Sequence, residues 1–202
     1  MHIRIQSEHA NTAKHIWKLL KEFYQVEPQL SVLRKIKLKK NNIYVIRVNS
    51  RALEILKDLG IYTEQGLQTH IPARMLRRDC CAQGYLAGAF LAGGSVTDPN
   101  KRYNLELETS HAQASRELQA LLTDMGQQPK QVARGGYQVT YFKNSDQIED
   151  LLTLMGAPLS AMALMNTRAE KELRNGVNRR VNCESANLDK AVDAAQEQLE
   201  AI

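Results

Sequence analysis

The chain repeats itself. Sliding the sequence by 102 positions lays Ile3 on Leu105, Ile5 on Leu107, Ser7 on Thr109, and His9 with Ala10 on His111 with Ala112. Lys14 then falls on Arg116, Ile16 on Leu118, and Leu19 with Leu20 on Leu121 with Leu122. Further on the shift becomes 96, which lays Ile55 and Leu56 on Leu151 and Leu152, and Leu59 and Gly60 on Met155 and Gly156. Two half-domains of one design explain both shifts, with a hairpin six residues longer in the first copy. A duplicated unit buries its apolar faces twice in the same order, so the reading of either copy constrains the other.

Each copy reads as strand, helix, hairpin, helix. In the first, Ile3 and Ile5 alternate with Arg4 and Gln6, a strand signal. Ser7 then stands where a helix cap belongs, and Ile16, Leu19, Leu20 and Phe23 mark the apolar face of a helix running to about residue 24. SVLRKIKLKK at 31–40 and IYVIRV at 43–48 flank Asn41 and Asn42 as a hairpin, and a short helix over about 50–59 stops at Gly60. In the second copy Tyr103, Leu105 and Leu107 alternate with polar residues, and a helix spans about 110–125. A turn at Gly135 and Gly136 leads into a strand at 137–142, followed by a helix over about 144–155. The domain reading is a first half at 1–60, a connector at 61–79, a second half at 80–157, and a basic segment and linker at 158–202. His9 and His111, at matching helix starts, read as local caps or packing residues rather than a proton-transfer pair.

At 84–94 the second copy opens with GYLAGAFLAGG, in which Gly84, Gly88 and Ala92 recur every four positions. On a helix they share one face, a packing seam where another backbone can come close. The stretch is too short to span a bilayer. It resembles the signature helix of the LAGLIDADG homing-endonuclease family, with Leu86, Ala87 and Gly88 matching the opening letters and Ala92 and Gly94 later ones. The resemblance implies an α+β fold: a pseudo-two-fold, duplicated αββαββα domain. Carried back by 102, Gly94 falls before Met1, so the first repeat is expected to lack its N-terminal helix and strand, leaving the seam to be filled by another molecule or sealed otherwise. Family enzymes carry a metal-binding acid at the foot of this helix, where this chain has Gly93, and the earlier Asp of the motif is Leu91. The expectation is no catalytic residue, no metal and no cofactor. Asp98 lies close by, but Pro99 and Asn100 beside it fit a turn.

Composition narrows the partners. Net charge is +5, and Lys plus Arg against Asp plus Glu runs 12 to 6 over residues 1–70, 9 to 9 over 71–157, and 6 to 7 over 158–202. The excess in the first third suits an anionic partner. The polar start has no signal-peptide character and no segment is long enough to span a membrane, so the expectation is an intracellular protein. Cys80, Cys81 and Cys183 have no metal-ligand spacing and read as buried reduced thiols.

From Pro158 the repeat is not continued. That segment, above all VNRRVNCESANL at 177–188, together with residues 86–98 and the lysine-rich hairpin, resembles the WhiA family of sporulation transcription regulators of Gram-positive bacteria. Family members join a degenerate LAGLIDADG domain to a C-terminal helix-turn-helix. Here 194–202 reads as a helix start or linker, with that DNA-reading module outside the sequence. The resemblance implies a cytoplasmic, nucleoid-associated DNA-binding regulator of cell division, cell cycle and sporulation genes, with double-stranded DNA and another transcription factor or RNA polymerase as partners.

In such folds the sheet sits over the DNA groove. Lys35, Lys37 and Lys39 share one strand face, with Lys40 and Arg47 near them, a comb that either tracks phosphates or protects a solvated edge. Arg102, Arg134 and Lys143 extend the track, while Glu106 and Glu108 would repel phosphate unless salt-bridged or at the rim. Arg174, Arg179 and Arg180 either touch DNA or brace the linker. Two other classes stay open: a protein-interaction module that leaves DNA alone, and an active metal-dependent endonuclease.

Overall fold

The computed structural model describes residues 1–34 and 42–201. The first copy comprises β1 (Ile3–Ser7), α1 (Ala10–Tyr24), β2 (Gln29–Arg34), β3 (Asn42–Val48) and α2 (Ala52–Asp58). The stretch expected as a plain connector holds a two-rung hairpin, β4 (Tyr62–Thr63) with β5 (Gly66–Leu67), and a 3-10 turn at Ala73–Leu76. Next come α3 (Asp79–Gly93), β6 (Gly94–Val96) and β7 (Leu105–Thr109). α4 (Ala112–Asp124), β8 (Lys130–Arg134), β9 (Tyr137–Phe142) and α5 (Ser145–Leu154) complete the second copy, and α6 (Pro158–Glu200) follows. The chain divides into two compact units, one of Met1–Ser95 with Glu106–Tyr141, the other of Val96–Leu105 with Phe142–Ile202.

In the first unit β1, β3 and β2 form an antiparallel sheet in that order. Ile3, Ile5, Tyr44, Ile46 and Val48 point to one side of it, into a core with Ala13, Ile16, Trp17 and Leu20 of α1 and Ile55 of α2. Trp17 fits there because its indole N–H donates to Pro28 O at 2.7 Å. The other sheet runs β6-β7-β9-β8. Its cross-strand network replaces apolar packing at one point: Gln131 Nε2 lies 3.0 Å from Ser115 Oγ and 3.2 Å from Thr140 Oγ1, both on buried residues. Ser115 and Thr140 occupy the places of Ala13 and Ile46 in the first copy.

The repeat holds in local detail. Ser7 Oγ accepts from His9 N–H and Thr109 Oγ1 from His111 N–H, so each hydroxyl braces the turn before its helix rather than capping it. The exposed His9 and His111 supply backbone caps only. Leu59, Gly60 and Ile61 donate to Ile55 O, Lys57 O and Leu56 O, and Met155, Gly156 and Ala157 repeat the pattern on Leu151 O, Thr153 O and Leu152 O. In the hairpins the buried Val45, Ile46 and Val48 correspond to Val139, Thr140 and Phe142, a shift of 94. Gln29 opposite Arg47 corresponds to Lys130 opposite Tyr141, a shift of 101, so the first hairpin is longer by seven residues rather than six.

Gly60 and Gly156 make a natural control pair. Both have positive φ, +69° and +78°, where a side chain is strained. A Cβ at Gly60 also meets Pro72 Cγ at 2.7 Å, whereas Gly156 has open space. Arg74 holds that segment down by donating to Asp58 O and, at 3.2 Å, to Lys57 O at the end of α2. Gly156→Ala is expected to cost about 1 kcal/mol and Gly60→Ala about 2 kcal/mol in urea unfolding. Equal costs would mean that Pro72 does not press on the turn.

In the second unit α5, capped by Asn144 Oδ1 accepting from Asp146 N–H and Gln147 N–H, packs on the first turns of α6. Ile148, Leu151, Leu152, Ala161 and Leu164 are buried. The segment expected as a linker is one helix of 43 residues, exposed throughout 177–201. Cys80, Cys81 and Cys183 are free thiols as expected, but all three are exposed rather than buried. No helix among the described residues is long and apolar enough to cross a membrane.

Candidate nucleic-acid interface

Because side chains alternate along a strand, sending Ile3, Ile5, Ile46 and Val48 into the core puts Arg4, Gln6, Val45 and Arg47 on the opposite face of the first sheet. The register then sets Arg4 directly across from Arg47, with Gln29 across from Arg47 on the far side. All three are exposed. Like charges directly opposite in a sheet destabilise it, and among the described residues neither arginine has an acidic ion-pair partner. With the Gln6 amide turned to face Arg4, its oxygen accepts from Arg4 Nε at 3.0 Å, which orients the guanidinium without neutralising it. Two unneutralised guanidinium groups side by side form a site for an anion. Arg47 was legible as a candidate. Arg4 was not, because only the register reveals its neighbour.

Lys35, Lys37, Lys39 and Lys40 lie outside the described residues. Of the remaining candidates, Arg134 ends β8 and its Nη2 stands 3.7 Å from Glu106 Oε1 on β7, so Glu106 is salt-bridged and Arg134 is partly neutralised. Glu108 is exposed, and Lys130, an exposed cation opposite Tyr141, joins the basic residues of that sheet. Arg102 and Lys143 belong to the second unit, Arg102 on the 97–104 loop and Lys143 between β9 and α5, both exposed. Arg174, Arg179 and Arg180 stand exposed on α6, where Arg179 Nε donates to Asn175 O of its own helix.

At α3 the expected seam is open: Gly84 and Gly88 have nothing among the described residues within 4 Å of where a side chain would begin, and Ala92 is exposed. The close approach falls one residue past the seam, at Gly93, where a Cβ would lie 2.4 Å from Glu108 O. Gly93, the residue that the sequence resemblance matches to the acid of the endonuclease motif, thus faces the backbone of β7 with no room for a side chain. Asp98 closes a turn, its Oδ1 accepting from Asn100 N–H at 2.9 Å and from the Asn100 amide at 3.1 Å. Those bonds, with the backbone N–H foremost, hold its carboxyl below the usual range.

Comparison with known proteins gives one family. Residues 1–62 match the WhiA N-terminal LAGLIDADG-like domain and residues 82–174 the WhiA LAGLIDADG-like domain. The probable cell division protein WhiA of Alkaliphilus metalliredigens is 40% identical over 208 residues, covering 100% of this chain and 66% of that protein. Its Staphylococcus haemolyticus counterpart is 42% identical over 202 residues, covering 99% and 64%. The chain therefore spans just under two thirds of the relatives it matches. Full-length WhiA from Thermatoga maritima superposes with a TM-score of 0.66 at 19% identity, over 94% of this chain and 60% of that one. The homing endonuclease I-DmoI, solved in complex with DNA and Ca, gives a TM-score of 0.55 at 14% identity, over 82% and 83%. The fold is the α+β LAGLIDADG-like one.

Proposed function

Since the chain belongs to the WhiA family, we propose that its LAGLIDADG-like fold holds double-stranded DNA without cutting it, as part of a bacterial regulator of cell division and sporulation genes acting at the nucleoid. The observation that carries this reading is the Arg4 and Arg47 pair: an uncompensated like-charge contact between two exposed arginines is relieved when a phosphate lies across it. Gln29 in the same row donates to a neighbouring phosphate or sugar oxygen, and the lysines at 35, 37, 39 and 40 add charge. Such contacts give affinity and position rather than sequence choice. The fold of I-DmoI, solved on DNA, is compatible with this use of the sheet. Gly93 supports the non-cutting half of the proposal, because the position has neither a carboxylate nor room for one.

A random labelled duplex titrated against the chain at rising salt tests the reading. Each phosphate contact contributes about 0.9 to the slope of log affinity against log salt. Arg4→Gln with Arg47→Gln is expected to lower that slope by about 2 and to weaken binding roughly 10- to 100-fold at low salt. Lys35, Lys37 and Lys39→Ala would flatten it further, with no cleavage in magnesium. Salt-insensitive or absent binding would move the function to a protein-interaction surface, for which the mixed charge at Arg134 and Glu106 is suited. Magnesium-dependent cutting would return the chain to the nucleases.

A further inference from the structure

The loop between β6 and β7 is held from α6 by one side chain. Residues 97–104 read TDPNKRYN, and their backbone closes on itself. Thr97 N–H donates to Asn104 O at 2.9 Å, while Lys101 N–H and Arg102 N–H both donate to Asp98 O, at 2.9 and 3.2 Å. With Asp98 Oδ1 taken up by Asn100, the turn fixes its own shape but not its place on the unit. Lys171 fixes its place. From α6 its Nζ donates to Pro99 O and stands 5.0 Å from the centre of the Tyr103 ring. Lys171 and Tyr103 are both partly buried. Taking an ammonium partly out of water costs free energy, which the carbonyl and the aromatic face offset.

Two side chains of this loop are left over. Lys101 and Arg102 are exposed, and among the described residues neither has an acidic ion-pair partner. Elsewhere in the same unit Arg168 is answered by Asp146 and Glu172. Asp98, the one acid of the loop, is outnumbered, because Lys101, Arg102 and Lys171 set three cations against it. A protein partner would ask for an apolar centre, and residues 97–104 expose no large apolar side chain. Phosphate oxygens ask only for donors and positive charge. Resting on the reading that the chain holds double-stranded DNA, we propose that this loop is a further phosphate contact of that DNA, made by Lys101 and Arg102, and that Lys171 is its positioning residue. Lys171 touches no phosphate. It sets where the loop stands, so that both cations are in place before DNA arrives and less ordering is left to do on binding.

Binding of a random labelled duplex across a salt series tests this, with the parent and the Arg4→Gln, Arg47→Gln variant run beside it. Lys101→Gln with Arg102→Gln should lower the slope of log affinity against log salt by about 2 and weaken binding about tenfold at low salt, with thermal unfolding unchanged. Lys171→Met, which removes the ammonium and keeps an apolar stem, should lower the slope by about 1. Added to the loop variant it should change neither slope nor affinity, because a residue that acts only through Lys101 and Arg102 then has nothing to act on. Lys171→Arg should restore the parent slope, since a guanidinium also donates to a carbonyl and lies over a ring. A loop variant with the parent slope overturns the proposal while the Arg4 and Arg47 reading stands; a parent without salt-sensitive binding overturns both. A Lys171→Met protein that binds like the parent overturns the positioning role, and so does a Lys171→Met loss that persists in full in the loop variant, which would make Lys171 a contact itself.

Discussion

Gly93→Asp is expected to cost the fold about 3 kcal/mol and to restore no cleavage. The cost follows from position rather than from charge. A Cβ at residue 93 would sit 2.4 Å from Glu108 O, and β7, to which Glu108 belongs, is flanked by β6 on one side and β9 on the other. Moving that carbonyl means distorting a paired strand; at Gly94 a Cβ would meet the Phe90 ring at 2.2 Å and the Phe90 carbonyl of its own helix at 2.6 Å, so that position is crowded too, but by α3 itself rather than by a strand. Gly93→Ala should therefore already show most of the loss, with the carboxylate adding repulsion against the Glu108 carbonyl oxygen. Urea unfolding of the two variants, beside nicking of a supercoiled plasmid in magnesium, measures both halves. A Gly93→Asp protein within about 1 kcal/mol of the parent would show that β7 yields easily. Nicking by that protein would show that one acid is enough to reopen the chemistry.

What could be read from the sequence divides along a physical line. The duplicated order, the helix stops at Gly60 and Gly156 and the turn at Gly135 and Gly136 were legible because each rests on local chemistry, apolar period or glycine at positive φ. Contacts between distant residues were not. Spacing showed that Gly84, Gly88 and Ala92 share a helix face, but not that the face is open and that Gly93 is the glycine a backbone crosses. Nothing local to Arg4 shows that Arg47 is its cross-strand neighbour. α6 was obscured by its own composition: Gly176 and the asparagines at 166, 175, 178, 182 and 187 are poor helix formers and suggest a linker. The packing of Ala161 and Leu164 beside α5 anchors the start of that helix, and once a helix has started each further residue adds one hydrogen bond.

The second unit is most exposed to failure at Arg168. This residue of α6 pairs with Asp146 of α5, donates from Nε to Glu172 Oε1 at 3.0 Å, and lies 3.7 Å from Glu149 Oε1 of α5. Asp146 and Glu172 are largely exposed, so their pairs contribute little. Glu149 is different: its side chain is 13% exposed and its Oε1 is sealed from solvent without a hydrogen bond. Burial pushes the Glu149 carboxyl above its ordinary range; Arg168 pulls it back, and the charges of Asp146 and Asp150 push it further up. Arg168→Leu removes the one cation that faces it among the described residues and leaves a buried carboxylate unpaired. The expected loss at pH 7 is about 2 kcal/mol, below the range for a fully buried pair because Arg168 is one-third exposed. A carboxyl whose folded pKa lies above its unfolded one favours the fold while protonated, and that contribution is lost as pH rises through the folded value. The deficit of Arg168→Leu should accordingly be greatest at neutral pH and shrink as pH falls toward the ordinary carboxylate range, while Glu149→Gln added to it recovers at least half of the loss at pH 7. Thermal unfolding of the three proteins from pH 4 to 7 measures this. A deficit that does not change with pH, or a double variant no better than Arg168→Leu, would mean that Arg168 holds α6 through its exposed partners or its packed stem and that the Glu149 charge is already relieved by water.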